Sequence, residues 1–101
     1  MRRAARTDRN HSEIAGAFAA MGCSVRSLAA VGGGVPDLLI GVAGRTLLVE
    51  VKDGKKPPSK RKLTPDQERF KADWRGQLFY VDSVKDVPTI VNAMRKSVMW
   101  V

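Results

Sequence analysis

Two short apolar runs, Leu38-Leu39-Ile40 and Leu47-Leu48-Val49, are separated by a compact Gly-containing connection, Ala43-Gly44-Arg45. No other feature constrains the fold as strongly. Apolar runs of this length, bounded by turn residues, suit β-strands, and two strands so close in sequence pair as an antiparallel hairpin. The spacing predicts strands over 36–42 and 46–52. Both runs are nearly continuous rather than alternating, which places the two strands in the middle of a sheet covered on both faces.

The flanking segments fill in the architecture. Ile14, Phe18 and Met21 recur at helical spacing with Ala15, Ala17 and Ala19, so a helix is expected from about Asp8 to Met21. Thr7 or Asp8 would cap it and Gly22 would end it. Ser24–Val31 is a further strand candidate, followed by a break at Gly32-Gly33-Gly34. Residues 53–63 form a Lys- and Pro-rich loop that cannot bury itself. Thr64-Pro65-Asp66-Gln67 then opens a helix, with Thr64 as N-cap, Pro65 in the first turn and Gln67 at the capping-box position. That helix should run to about Arg75 and stop at Gly76. A strand at Leu78–Val81 and a last helix opened by Ser83 or Asp86, carrying Ile90, Val91 and Met94, complete the chain. The order predicts one α/β domain with a central sheet flanked by helices. At 101 residues the chain can build one core but not two.

Several functions are excluded by composition. Cys23 is the only cysteine and His11 the only histidine. An internal disulfide, a Cys/His zinc site and Ser-His-Asp or Cys-His catalysis are therefore all disfavoured. No apolar run approaches the roughly 18 residues of a membrane span. The arginine-rich start (Arg2, Arg3, Arg6, Arg9) leads into an amphipathic stretch rather than a signal-peptide core. A cytoplasmic protein without membrane contact is expected. The formal net charge is +8, concentrated in residues 1–9 and in Lys52, Lys55, Lys56, Lys60, Arg61 and Lys62, against Asp53 alone within that second stretch. Clustered cations favour a polyanion, usually nucleic acid, over the plainer reading of a solubilising surface. The glycines at 32–34 lack the GK[ST] of a nucleotide-binding loop and read as a turn that lets DNA approach.

Chemistry is concentrated at the hairpin. Side chains alternate along a strand, so Glu50 and Lys52 share a face while Val49 and Val51 take the other. Taken alone, the pair reads equally as a same-strand salt bridge. Asp37 adds to it: the hairpin brings position 37 opposite positions 50–52, so two carboxylates can converge. Their repulsion raises one pKa unless a cation lies between them, and Mg²⁺ uses one or two carboxylates with waters and substrate phosphate. A Pro-Asp turn is the plainer reading of Asp37.

Gly34-Val35-Pro36-Asp37 followed by Glu50-Val51-Lys52 resembles the PD-(D/E)xK nuclease superfamily. The longer set of segments is similar to the virus-type replication-repair nuclease family (VRR-NUC). It comprises the Gly-rich lead into Pro36-Asp37-Leu38-Leu39, then Val49-Glu50-Val51-Lys52-Asp53, then Leu63-Thr64-Pro65 with Gln67. The likeness spans residues 8–96 and departs at none of its core positions. It implies a restriction-endonuclease-like fold over residues 8–101, with residues 1–7 as a basic N-terminal arm. It also implies Mg²⁺ or Mn²⁺ held by Asp37, Glu50 and the Val51 carbonyl, with Lys52 orienting or activating water. Glu13 matches the family's first-helix acid, which reaches metal-bound water or a second metal. Its plainer reading is a first-turn glutamate favoured by the helix dipole. Gln67 matches a helix-start glutamine near the site, a role compatible with capping.

The resulting expectation is a metal-dependent DNA endonuclease, structure-selective for junction or flap DNA, of a phage or bacterium. Arg9, Lys55, Lys56, Lys60, Arg61 and Lys62 would contact phosphates. The apolar tail Val98-Met99-Trp100-Val101 would pack on the chain's own core or join two copies, and a homodimer is expected by family analogy. The competing expectation is a basic DNA- or RNA-binding module without catalysis.

Overall fold

A computed structural model describes residues 9–96. In chain order it contains α1 (Arg9–Ala20), β1 (Ser24–Ser27), β2 (Leu38–Val42), β3 (Arg45–Val51), a 3₁₀ turn (Pro58–Lys60), α2 (Pro65–Asp73), β4 (Gln77–Val81) and α3 (Asp86–Lys96). The four strands form one mixed sheet in the order β1-β2-β3-β4. β1, β2 and β3 run antiparallel to one another, and β4 adds parallel to β3 after the α2 crossover. The expected α/β domain with a central sheet and flanking helices is what forms.

The hairpin is tighter than the sequence suggests. Val42 pairs with Arg45, so the connection is the two residues Ala43 and Gly44 rather than three. Both have positive φ, 55° and 74°. Left-handed turns of this kind match the twist of the flanking strands, which frees Arg45 to join β3. The register that follows sets Leu38 against Val49 and Ile40 against Leu47.

These residues share one face with Val42, Val51 and Val81, and that face meets Ile14 and Phe18 of α1 and Val87 and Val91 of α3. α1 and α3 also pack on each other. The second face is covered unevenly. Every residue of β3 from Leu47 to Val51 is buried, whereas on β2 Leu39 and Gly41 are only half-buried. α2 crosses that second face and buries none of its own residues. Coverage on both sides therefore holds for β3 and only partly for β2.

α1 ends as expected at Gly22, whose φ is 87°. The Gly22 amide donates to the Ala19 carbonyl and the Cys23 amide to that of Phe18, a Schellman closure. β1 is shorter than the 24–31 candidate. The Leu28 amide donates 2.7 Å to the Asp37 carbonyl, and the Val31 amide then bonds back to Leu28 as the chain turns away. α2 stops at Asp73, with Trp74 as its C-cap instead of running to Arg75. The 53–63 loop is less solvated than expected, since Arg61 and Leu63 are half-buried. The arm at 1–7, the Thr7 or Asp8 cap and the tail at 98–101 lie outside the described residues. Among the described residues, no helix is long and apolar enough to cross a membrane.

Candidate active site

Asp37 lies one residue before β2, on the side opposite Leu38. Extending the Leu38–Val49 register by one step sets it across from Glu50. Its Oδ2 accepts a 2.8 Å hydrogen bond from the Val51 amide. The N–H and C=O of one strand residue point to the same edge, so the Val51 carbonyl also faces the Asp37 side. The Lys52 amide points the other way, donating 2.9 Å to the Val81 carbonyl of β4.

Glu50 is 4% exposed in the middle of this face. Burial, the Asp37 carboxylate and a hydrogen bond to Asp37 raise its pKa to about 8 against the opposing pull of Lys52. Near neutrality Glu50 therefore keeps its proton. Lys52 Nζ lies 3.6 Å from Glu50 Oε2 and donates 2.9 Å to Gln67 Oε1.

Gln67 ties α2 to both. Its Nε2 donates 2.9 Å to Glu50 Oε2, and its Oε1 also accepts from the Thr64 amide. Two donors around one oxygen and a carboxylate at the nitrogen define the amide's orientation. The Gln67 amide in turn donates to Thr64 Oγ1, completing the capping box. One residue thus closes the helix start and bonds both Glu50 and Lys52.

Gly34 explains how α2 reaches this position. Its φ is 87°, and a Cβ there would run into the Asp66 carbonyl, so only glycine allows the loop before Asp37 to pack against the start of α2. The Gly-rich stretch is therefore a packing contact at Gly34 as well as the turn the sequence suggested.

The donor set fits a small hard cation. Asp37, Glu50 and the Val51 carbonyl supply two carboxylates and one neutral oxygen, the protein share that Mg²⁺ or Mn²⁺ takes when waters complete the shell. A cation there would also offset the burial and the Asp37 repulsion that together hold a proton on Glu50. Among the described residues no group of three or more His, Cys, Asp and Glu side chains is placed to hold a metal. Glu13 accordingly does not join the pair. It is exposed on α1, which packs on the other face of the sheet, and it lines a separate recess with Asn10, Asp53, Lys55 and Asp82.

The basic loop divides. Lys55, Lys56 and Lys62 are exposed. Arg61 departs from the expected phosphate contact: it is half-buried and pairs with Asp82 at 3.2 Å, holding the loop against the end of β4. Lys60 lies in the 3₁₀ turn, and the side chains of Lys60 and Arg9 lie outside the description.

Two residues escaped the sequence reading. Asn10 donates from Nδ2 to the carbonyls of Lys52, 2.6 Å, and Asp82, 3.2 Å, clamping the ends of β3 and β4. An Asn in the first turn of a helix otherwise reads as part of the helix start, and no local signal reveals the clamp. Tyr80 sits beside Glu50 in the β3–β4 register, with Lys71 Nζ 5.6 Å from its ring centroid. No protein-family model matches the chain, and no curated protein or solved structure is significantly similar to it.

Proposed function

We propose that this chain is a Mg²⁺- or Mn²⁺-dependent nuclease that hydrolyses phosphodiester bonds in DNA, with selectivity for branched substrates. The observation that carries the reading is the meeting of Asp37, Glu50 and Lys52 on one face of the sheet, with Gln67 bonded to two of the three. The likeness to the PD-(D/E)xK motif set supports it.

Asp37, Glu50 and the Val51 carbonyl are the groups that would hold the metal, which when bound supplies Lewis acidity toward a phosphoryl oxygen and a more acidic water. Val51 fixes Asp37 through its amide. Gln67 fixes the Lys52 ammonium at the margin of the carboxylate pair, where it can order a water or offset charge growing on the phosphate. The exposed Lys55, Lys56 and Lys62 attract the DNA backbone without reading its sequence.

The test is cleavage of junction, flap, splayed and duplex DNA with Mg²⁺ or Mn²⁺, by wild type and Lys52→Ala. Removing Lys52 should lower cleavage by at least about 10²-fold, the scale of a lost acid–base or charge-stabilising group. DNA binding should stay within about threefold, since many cations share that work. Retained binding with no cleavage by wild type would support a binding module instead. Equal nicking by both proteins would place the chemistry elsewhere.

A further inference from the structure

A cavity of about 400 Å³ opens beside Lys52, with Arg61, Leu63, Lys71, Tyr80, Asp82 and Asp86 among the residues of its wall. Its size falls within the range of about 300–1,000 Å³ typical of small-ligand sites. Three features distinguish it from a plain gap. Tyr80 is 39% exposed although it sits on a strand beside the buried Glu50. Lys71 on α2 is poised over the Tyr80 ring, presenting a cation at the wall. Arg61 and Asp82 hold each other at 3.2 Å, so that part of the lining is built rather than loose.

The lining suits the parts of one nucleotide. An aromatic ring and Leu63 offer stacking and apolar contact, Lys71 and Lys52 offer charge for a phosphate, and the Asp82 and Asp86 carboxylates can accept from the amino groups of a base edge. Its shared wall is Lys52, so an occupant would lie next to the phosphate placed over Asp37 and Glu50. A nucleotide in a duplex could enter only by leaving its stack and its partner, at a cost of a few kcal/mol, whereas an unpaired one is free of that cost.

Building on the nuclease reading, we infer that the cavity beside Lys52 and Tyr80 receives a single unpaired nucleotide adjoining the scissile phosphate. The substrate class is then DNA with an unpaired nucleotide at the branch, as in flaps and splayed arms, in preference to fully paired four-way junctions.

The experiment uses the full chain and a flap DNA with 2-aminopurine as the first unpaired base. Binding is measured in EDTA, so the readout needs no catalysis. Wild type should change the 2-aminopurine emission on binding, and a probe placed inside the duplex arm should not respond. Tyr80→Leu should weaken flap binding by about tenfold, the scale of one lost base stack, and Lys71→Ala should weaken it through the lost phosphate charge, while blunt-duplex binding changes less than twofold for either variant. Equal weakening on flap and duplex, or an unresponsive probe at the branch, would overturn the proposal. A responsive probe with no cleavage under Mg²⁺ or Mn²⁺ would uphold the nucleotide site and sink the nuclease reading. Cleavage with a silent probe would do the reverse.

Discussion

Replacing Glu50 by Gln should make the fold more stable, and increasingly so as pH rises. In the folded chain Glu50 releases its proton near pH 8, displaced from an ordinary 4.5 by burial and by Asp37. Below pH 4.5 the group is protonated in both folded and unfolded states and exerts no pull. Between 4.5 and 8 the folded chain keeps a proton that the unfolded chain has released. Stability therefore falls by about 1.4 kcal/mol per pH unit across that window and levels off above it. The full displacement corresponds to about 5 kcal/mol, a large share of the roughly 5–15 kcal/mol available to a domain of this size. A glutamine keeps the shape and cannot ionise. The assay is urea unfolding in EDTA from pH 5 to 9, read as the difference between the two proteins, which cancels the other titrating groups. The two curves should diverge steadily from pH 5 and run parallel above pH 8. Adding Mn²⁺ at pH 8 should then stabilise wild type and leave Glu50→Gln nearly unmoved, because ligand binding adds stability only where a site exists. Parallel curves across the whole range would refute the claim that Glu50 is forced to hold a proton.

Four further substitutions probe the fold that carries the site. Gly34→Ala should lower the melting temperature more than Gly33→Ala, although both residues have positive φ, because only a Cβ at Gly34 meets the Asp66 carbonyl. The Gly33 change should cost about 1 kcal/mol and the Gly34 change clearly more, compared by thermal unfolding. Asn10→Ala should cost about 1–3 kcal/mol in urea unfolding by leaving two carbonyls without their shared donor, and an unchanged midpoint would show that water replaces it. Ala43→Asn should stabilise the hairpin by roughly 0.5–1 kcal/mol, since Asn tolerates the φ of 55° better than Ala.

The sequence was most legible where chemistry is local. Two apolar runs around a glycine were enough to pair the two strands and bring Asp37 near positions 50–52, while the two-residue turn of the fold set the register that puts it opposite Glu50. The Thr64–Gln67 capping box is likewise a four-residue pattern with its own hydrogen bonds. Errors arose where distant segments decide. Arg45 was counted with the Gly-containing connection, yet a two-residue turn releases it into β3. Arg61 looked like one more cation in a basic run, and only the fold supplies Asp82, twenty-one residues later, to claim it. Glu13 lies in a recess apart from Asp37 and Glu50, and no sequence spacing reports where a helix side chain faces. Asn10 and Gly34 act through contacts with residues far along the chain, which leave no local trace.

α2 buries none of its residues, yet it supplies the side chain that links Glu50 to Lys52. A helix tied to the body by one glutamine, a glycine contact and the Lys71–Tyr80 contact has little to lose by detaching while the rest stays folded. Its amide protons should consequently exchange with deuterium at a far lower opening free energy than those of β3, whose residues from Leu47 to Val51 are all buried. Each such excursion would separate Gln67 from Glu50 and Lys52. Occupancy of the site and order in this one helix would then rise and fall together.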